Sequence, residues 1–241
     1  LGDGTTTDRD RPVRVAGLAA VAHVDAGRSS AHAIASDGRV WGWGSNSDGQ
    51  LGPGVAVFRT VPVAVSAVSG ATAVAAGYAT SYALAGDGTV WSWGANVLGA
   101  LGTGPGQARS TPARIPGLTG ITAIAAGFNL GVALRSDGTV WAWGYNLDGQ
   151  LGDGSTNAGR TPKRVIGLSS VTQVAAGGSH SLALKSDGTV WAWGNNQHGQ
   201  LGNGTTAPSA MPVQVTGLAG VTAIAAGGSR SYAVLGDGTV R

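Results

Sequence analysis

The tryptophans of this 241-residue chain occur in four W-x-W pairs, and successive pairs are spaced by 50 residues. The pairs begin at Trp41, Trp91, Trp141 and Trp191. The dipeptides Leu-Gly, Asp-Gly and Ala-Gly recur with the same period along the whole chain. A fixed period of about 40–50 residues is typical of propellers and solenoids. The period therefore predicts a repeat protein in which every unit has the same local structure.

One repeat period, counted from its first strand, contains four short β-patterns, which predict strands at Val171–Ala176, Ser181–Lys185, Thr189–Trp193 and Pro212–Val215. The dipeptide Asp187-Gly188 favours a tight hairpin between the second and third strands. No window has helical periodicity. Four antiparallel strands per unit are typical of a propeller blade. We therefore predict an all-β fold, a β-propeller of five 50-residue repeats, each a four-stranded antiparallel blade. It would be a single domain over residues 1–241, with repeats 1–50, 51–100, 101–150, 151–200 and an incomplete 201–241.

The tryptophan pairs have a structural explanation in such a fold. Trp191 and Trp193 are two residues apart and share one face of their strand, whereas the other face carries only Val190, Ala192 and Gly194. Burying one indole contributes roughly 4–6 kcal/mol of apolar transfer free energy. We expect the large face of each blade to fill the small face of its neighbour.

The two ends of the chain are complementary in their predicted strands. Pro12–Val15 matches a fourth strand, and Val221–Arg241 matches a first, a second and part of a third strand. If the N-terminal strand completed the last blade, the ring would close without free sheet edges. Arg241 stands where a tryptophan would begin the next W-x-W pair, which argues against a perfect repeat.

The composition excludes several classes of function. The absence of cysteine excludes disulfides, thiol catalysis and cysteine-ligated metals. The net charge of +3 comes from scattered residues, so we expect no nucleic-acid partner. No apolar run is long enough to cross a membrane, and no signal peptide is visible in a chain that opens with Leu1. A cytoplasmic and a secreted location both stay open, as does the oligomeric state.

No catalytic or metal-binding motif is present. The chain lacks a nucleophile elbow and a P-loop, and the recurring Asp-Gly aspartates are turn formers. The four histidines, His23, His32, His180 and His198, lack metal-ligand spacing. We therefore expect no enzyme activity, no cofactor and no metal.

Three linked motifs resemble the regulator-of-chromosome-condensation repeat. They are A-A-G-x-x-H-S-L-A-L (175–184), S-D-G-T-V-W-A-W-G (186–194) and N-x-x-G-Q-L-G-x-G-T (196–205). The resemblance covers essentially the whole chain. It implies a propeller that usually has seven blades, so the five repeats form either a five-bladed variant or part of a larger ring.

The resembled family implies several different functions. Its members include guanine-nucleotide exchange factors, a plant ultraviolet photoreceptor, bacterial β-lactamase inhibitors and ligase-associated scaffolds. The strict 50-residue spacing leaves no room for the insertion that exchange factors carry, and no repeat has the extra tryptophan of the photoreceptor motif. The inhibitors share the W-G-x-N-x-x-G-Q loop, but their binding residues lie at variable positions and cannot be carried over.

Comparison of the repeats with one another separates constant from variable positions. The variable residues follow the first and third strands of each repeat, at loops that lie on one side of a meander. Such loops on a rigid scaffold are the usual place for binding. Four of the six tyrosines and phenylalanines, including Phe58, fall in variable segments.

We therefore predict a non-enzymatic interaction module that binds a protein partner through the face formed by the variable loops. An exchange factor for a small GTPase and a secreted bacterial protein similar to the β-lactamase inhibitors are the alternatives. The predicted partner-binding residues are Tyr78, Val97, Leu98, Phe128, Asn129, Leu130, Tyr145, Leu147, Asp148, His180, His198 and Arg230.

Overall fold

A computed structural model describes all residues from 1 to 241 and contains 18 strands in five antiparallel sheets. Four sheets have four strands each, in the sequential order of a meander, and the fifth has two. The strands are β1 Val21–Ala26, β2 Ser30–Ala35, β3 Val40–Ser45, β4 Phe58–Ala64, β5 Ala71–Ala76, β6 Thr80–Ala85, β7 Val90–Gly94, β8 Arg109–Arg114, β9 Ile121–Ala126, β10 Leu130–Arg135, β11 Val140–Gly144, β12 Gly159–Arg164, β13 Val171–Ala176, β14 His180–Lys185, β15 Val190–Gly194, β16 Ser209–Gln214, β17 Val221–Gly227 and β18 Arg230–Leu235. The only helical segment is a single 3-10 turn at Val97–Gly99.

The predicted propeller-type blades are confirmed, and their inner strands lie side by side in chain order. Each blade takes its fourth strand from the next 50-residue unit, so that the first blade runs from β1 to β4. The predicted bounds of β13 agree with the structure, whereas β16 begins three residues earlier than expected. Its pairing with β15 shifts register between Ala192 and Gly194. Pro212 lies inside this irregular stretch of an edge strand, where proline is tolerated.

The second tryptophan of the second, third and fourth pairs fills the space between blades. Trp93, Trp143 and Trp193 are completely buried, and each belongs to an apolar cluster with the preceding blade, which contributes larger side chains than expected, such as Ile34, Tyr82 and Leu130. Their indole nitrogens donate to the backbone oxygens of Gln50, Ala100 and Gln150 at 2.7–3.0 Å. A loop from one repeat therefore anchors the next blade through an apolar contact and a hydrogen bond together.

The first tryptophan of each pair differs from the expectation that both are interior. Trp41, Trp91, Trp141 and Trp191 are only half-buried. Each lies beneath a cationic side chain, as Trp141 lies 4.6 Å from the guanidinium of Arg135. This position is closer to the Asp-Gly turn, and Trp91, Trp141 and Trp191 contact the apolar clusters between blades with only part of the ring.

Side chains of the inner strands join two pairs of blades. The Asp25 carboxylate accepts a 2.7 Å hydrogen bond from the Ala76 amide, and burial raises its pKa. Gln173 forms two hydrogen bonds with the backbone of Ile224, at 3.0 and 3.1 Å. Asp25 replaces an alanine that the other four repeats share, which was the sequence signal for this cross-link.

The expected closure by the N-terminal strand is wrong in this structure. Pro12–Val15 forms no strand, and the first and last sheets are not joined. The N-terminal segment lies along the first blade instead, where the Gly4 amide donates to Thr60 and Gly2 packs against Trp43. Leu1-Gly2 thus occupies the place that Leu-Gly takes beside a tryptophan in later repeats. Arg241 pairs with Ala233 as the start of a third strand.

Candidate functional site

The two sets of variable loops form one surface, here called the variable-loop face. It consists of the loops between the first and second strands and between the third and fourth strands of each blade. The pairing of Thr80 with Gly94 places both loop types at the same end of the sheet. The loops are also bonded directly, because the amides of Ser45, Ala95, Tyr145 and Asn195 donate to carbonyls of the first loop at 2.8–2.9 Å. The predicted shared face is therefore confirmed in geometry.

A constant asparagine holds the longer loop in place. Oδ1 of Asn46, Asn96, Asn146 and Asn196 accepts from the amide of the Leu-Gly leucine at 2.7–3.0 Å. The side-chain NH2 of Asn196 also donates to the carbonyls of Thr205 and Ala207, each at 2.9 Å. Because the asparagine is largely buried, these bonds fix the backbone while the exposed positions remain free to vary.

Close contacts between successive blades give the face a rigid base. A Cβ on Gly127 would lie 2.3 Å from the carbonyl oxygen of Gly177. The equivalent Gly27 has the same restriction against Gly77. Backbone hydrogen bonds continue the contact, from the Phe128 amide to Gly178 at 2.9 Å and from the Gly178 amide to Gly228 at 2.7 Å. These contacts explain why Ala-Gly is constant directly below variable residues.

Arg28, Tyr78 and Phe128 form a continuous row at the inner edge of the face, here called the aromatic row. The Arg28 guanidinium lies 4.5 Å from the Tyr78 ring centre and donates to its hydroxyl. The Tyr78 and Phe128 rings meet edge to face at 5.8 Å. Both rings stay exposed, Tyr78 to 38% and Phe128 to 46%. Arg28 is not among the predicted site residues, although its 50-residue spacing from Tyr78 is a sequence signal for the contact.

The other predicted site residues differ in their exposure to solvent. Val97, Leu98, Leu147, His198 and Arg230 are exposed on the variable-loop face, and Asn129, Tyr145 and Asp148 are half-buried there. Leu98 adopts a left-handed backbone conformation with φ of 53°, in the one loop where alanine replaces the glutamine of the Gly-Gln-Leu-Gly motif. Phe58 is exposed at the start of β4, on the outer rim.

Leu130 and His180 do not belong to the exposed surface. Both side chains are completely buried, because each begins the second strand of its blade with its side chain turned toward the interior. Nε2 of His180 lies 2.9 Å from Oγ of Ser231 in the next blade. We therefore remove these two residues from the candidate interface and assign them to packing.

Because His32 and His180 are both buried, we predict that the free energy of unfolding depends on pH. Burial lowers the pKa of each imidazole to about 4, because the charged form loses its hydration. The folded-state pKa thus lies below the unfolded value of about 6.5, so stability is complete above that pH and is lost as the pH falls toward 4. Each unit of depression corresponds to about 1.4 kcal/mol.

The double variant His32→Leu/His180→Leu tests this dependence. Leucine occupies the equivalent positions at Leu182 and Leu130, so the fold accommodates it. Denaturant unfolding at pH 7, 6, 5 and about 4.5 should show a steep loss of stability in the parent and a shallow one in the variant. If stability fell equally with pH in the parent and the variant, the two buried histidines would not be the cause of the pH dependence.

The inner strands of the five sheets line a cavity of about 540 Å³. Its walls are mainly the alanines and glycines of the Ala-Ala-Gly motif, with His23, Asp25 and Arg28 contributed by the first repeat. Residues 1–241 contain no group of three or more potential metal-ligating side chains. Among the elements of the structure there is no helix that could span a membrane.

Known structures share this architecture. Human WBSCR16 is 26% identical with a TM-score of 0.83, and the match covers 91% of this chain and 60% of that one. Prp20p from Saccharomyces cerevisiae is 23% identical with a TM-score of 0.78, covering 86% of this chain and 54% of that one. The chain thus spans little more than half the length of these structures. Comparison with curated protein sequences finds no significant match.

The family comparison agrees with the repeat motifs and the blade geometry. The model of the RCC1-like domain matches residues 1–241, which is the full length of the chain. The Ala-Ala-Gly segments lie at the end of a first strand, the Asp-Gly segments between a second and a third strand, and the W-x-W-G segments on a third strand. The chain therefore belongs to the RCC1-like domain family.

Proposed function

We propose that this chain is a non-enzymatic protein-binding domain that uses the variable-loop face as its interface. The observation that carries the proposal is the exposed aromatic row, two rings and a guanidinium in mutual contact above a backbone that is rigid. Exposed aromatic and arginine side chains of this kind dominate the energetics of protein interfaces. The nearby exposed side chains of Val97, Leu98 and Leu147 extend the apolar surface.

The fold supplies enough area for such an interface. A standard protein complex buries about 800 Å² on each partner, which loops from several adjacent blades can provide together. Among proteins of similar structure, Prp20p has described binding properties toward Gsp1p and histones. That likeness concerns the fold, so the partner of the present chain has to be found by experiment.

The triple variant Tyr78→Ala/Phe128→Ala/Tyr145→Ala should lose partner binding and stay folded. Losing the aromatic anchors removes the side chains with the largest expected contribution, whereas the buried core is unchanged. The measurement is affinity capture on immobilised protein with quantitative mass spectrometry, followed by titration of each captured protein. A drop in affinity of about 100-fold or more corresponds to the loss of roughly two interface anchors.

A matched control keeps the number of removed apolar side chains constant. Val61, Ile166 and Met211 are also exposed but lie outside the variable-loop face, so the variant Val61→Ala/Ile166→Ala/Met211→Ala should bind normally. A partner retained equally by the parent and the triple aromatic variant would refute this location of the interface.

The exchange-factor and inhibitor-like alternatives have weaker support. No blade carries an insertion that projects from the regular loops, since the strand pattern repeats at 50-residue intervals. The inhibitor-like alternative rests on the shared loop motif alone. If either alternative function used the variable-loop face, the triple aromatic variant would impair it as well.

A further inference from the structure

The aromatic row ends beside a small pocket between the fourth and fifth blades. The pocket has a volume of about 220 Å³ and is walled by Phe128, the glycines Gly178 and Gly228, and the polar residues Asn195, His198 and Gln200. The ring of Phe128 lies next to Gly178. A Cβ built on Gly178 would lie 3.1 Å from Cε2 of Phe128. Phe128 also lines the pocket and is one of the exposed aromatic side chains of the protein.

The repeat symmetry explains why space is present there. Positions 28, 78 and 128 carry arginine, tyrosine and phenylalanine, whereas positions 178 and 228 carry glycine. A shift of two repeats therefore places Phe128, Gly178 and Gly228 at the positions of Arg28, Tyr78 and Phe128. In the earlier position, the central side chain is a tyrosine whose ring lies edge to face against Phe128. The chain itself displays the kind of side chain that fits between two such neighbours.

We propose that the pocket receives a tyrosine side chain of the protein partner, with its ring against Phe128. This inference rests on the proposed function of the variable-loop face and specifies what the partner contributes. An aromatic ring would continue the row in the edge-to-face arrangement that Tyr78 and Phe128 already adopt. The volume suits a single side chain.

The polar walls favour tyrosine over phenylalanine. Asn195, His198 and Gln200 replace Ala95, Leu98 and Ala100 of the second repeat, so this pocket is polar where its counterpart is apolar. Asn195 Oδ1 accepts from Gln200 Nε2 at 2.8 Å, which directs the NH2 group of Asn195 to other acceptors. A phenol oxygen is such an acceptor, and its hydroxyl can also donate to the imidazole of His198.

The positive charge of the surroundings disfavours a cationic occupant. An arginine could also lie on Phe128, but Arg28 and Arg230 are exposed on the same face, and the chain carries a net charge of +3. Like charges across an interface are unfavourable. A neutral aromatic side chain avoids that cost and still uses the hydrogen-bonding groups.

N-acetyl-L-tyrosinamide is the probe that tests the pocket without requiring the partner. Titration into 15N-labelled protein should shift the amide signals of Phe128, Gly178 and Gly228 with an affinity of about millimolar, as expected for so small a ligand. N-acetyl-L-phenylalaninamide should bind more weakly and N-acetyl-L-alaninamide not at all. Absence of saturable shifts at these residues, or shifts centred elsewhere, would overturn the proposal.

Two variants separate the roles of the ring and the amide. Phe128→Leu should weaken tyrosinamide binding about two- to tenfold, the range expected for an aromatic pair. Phe58→Leu, which changes an exposed phenylalanine on the rim, should have no effect. Asn195→Ala should remove the preference for tyrosinamide over phenylalaninamide, and alanine is already present at the equivalent position 95.

The probe experiment and the partner experiment can fail independently. If tyrosinamide does not bind but the triple aromatic variant loses its partner, the tyrosine pocket is wrong and the variable-loop interface stands. If tyrosinamide binds with the predicted variant pattern but the triple aromatic variant keeps its partner, the pocket binds a tyrosine side chain that this partner does not supply, and both the interface assignment and the proposed use of the pocket are wrong.

Discussion

Replacing Trp193 with alanine should lower the free energy of unfolding by about 3–5 kcal/mol, the usual cost of deleting a fully buried aromatic side chain. The indole is completely buried against the third blade and donates a 2.9 Å hydrogen bond to the Gln150 carbonyl. Alanine would leave a cavity lined by Leu130, Val132 and Leu151 and an acceptor without this donor. Denaturant unfolding monitored by circular dichroism measures the change.

Trp191→Ala is the matched control from the same strand. Trp191 is half-buried beneath Lys185, and its indole nitrogen donates to the nearby Thr189 hydroxyl at 3.3 Å. Its removal should cost less than half as much, because the ring already retains contact with water. Equal destabilisation by the two variants would contradict the view that Trp193, and not Trp191, holds adjacent blades together.

Gly144→Ala should destabilise the protein by about 2–6 kcal/mol, since it combines backbone strain with overpacking. Gly144 has φ of 103°, and a Cβ there would lie 2.1 Å from the carbonyl oxygen of Asn129. Neither atom can move freely, because that carbonyl also accepts from the Tyr145 amide at 2.9 Å. The substitution should therefore disturb the variable-loop face as well as the stability.

Gly117→Ala isolates the backbone effect from the collision. Gly117 also has a positive φ, 78°, but no atom lies within 4 Å of a Cβ built on it. We expect a loss of only about 1–2 kcal/mol at this exposed turn. Thermal and denaturant unfolding of the two variants give the comparison, and a loss at Gly117 as large as at Gly144 would rule out the steric explanation.

Much of the site could be predicted because repeats can be compared within one chain. Residues that vary at a fixed position, such as Tyr78 and Phe128, are released from the packing that keeps their neighbours constant. Variation alone does not distinguish exposed from buried positions. Leu130 and His180 also vary among the repeats, yet both are buried, because each fits its own neighbours in the adjacent blade.

Packing between blades also makes the sizes of side chains from different repeats depend on one another. Tyr82 lies edge to face against Trp143 at 5.5 Å. Trp143 in turn occupies the space beside Gly131, where a Cβ would lie 2.3 Å from the indole. The serine found at the equivalent positions 81, 181 and 231 is replaced by glycine in the repeat that faces a tyrosine. This compensation connects residues 49 and 61 positions apart and requires the three-dimensional neighbour to be known.

The sequence by itself determined the all-β blade, its 50-residue period and the side of the sheet on which variable loops lie. These features follow from local hydrogen bonding, from the alternation of side chains along each strand and from the residues that favour turns, all of which occur within a single repeat. The tertiary structure alone decided which tryptophan is interior, where the N-terminal segment lies and which variable side chains reach the surface. Those outcomes depend on contacts between residues from different blades, and no pattern within a single repeat contains that information.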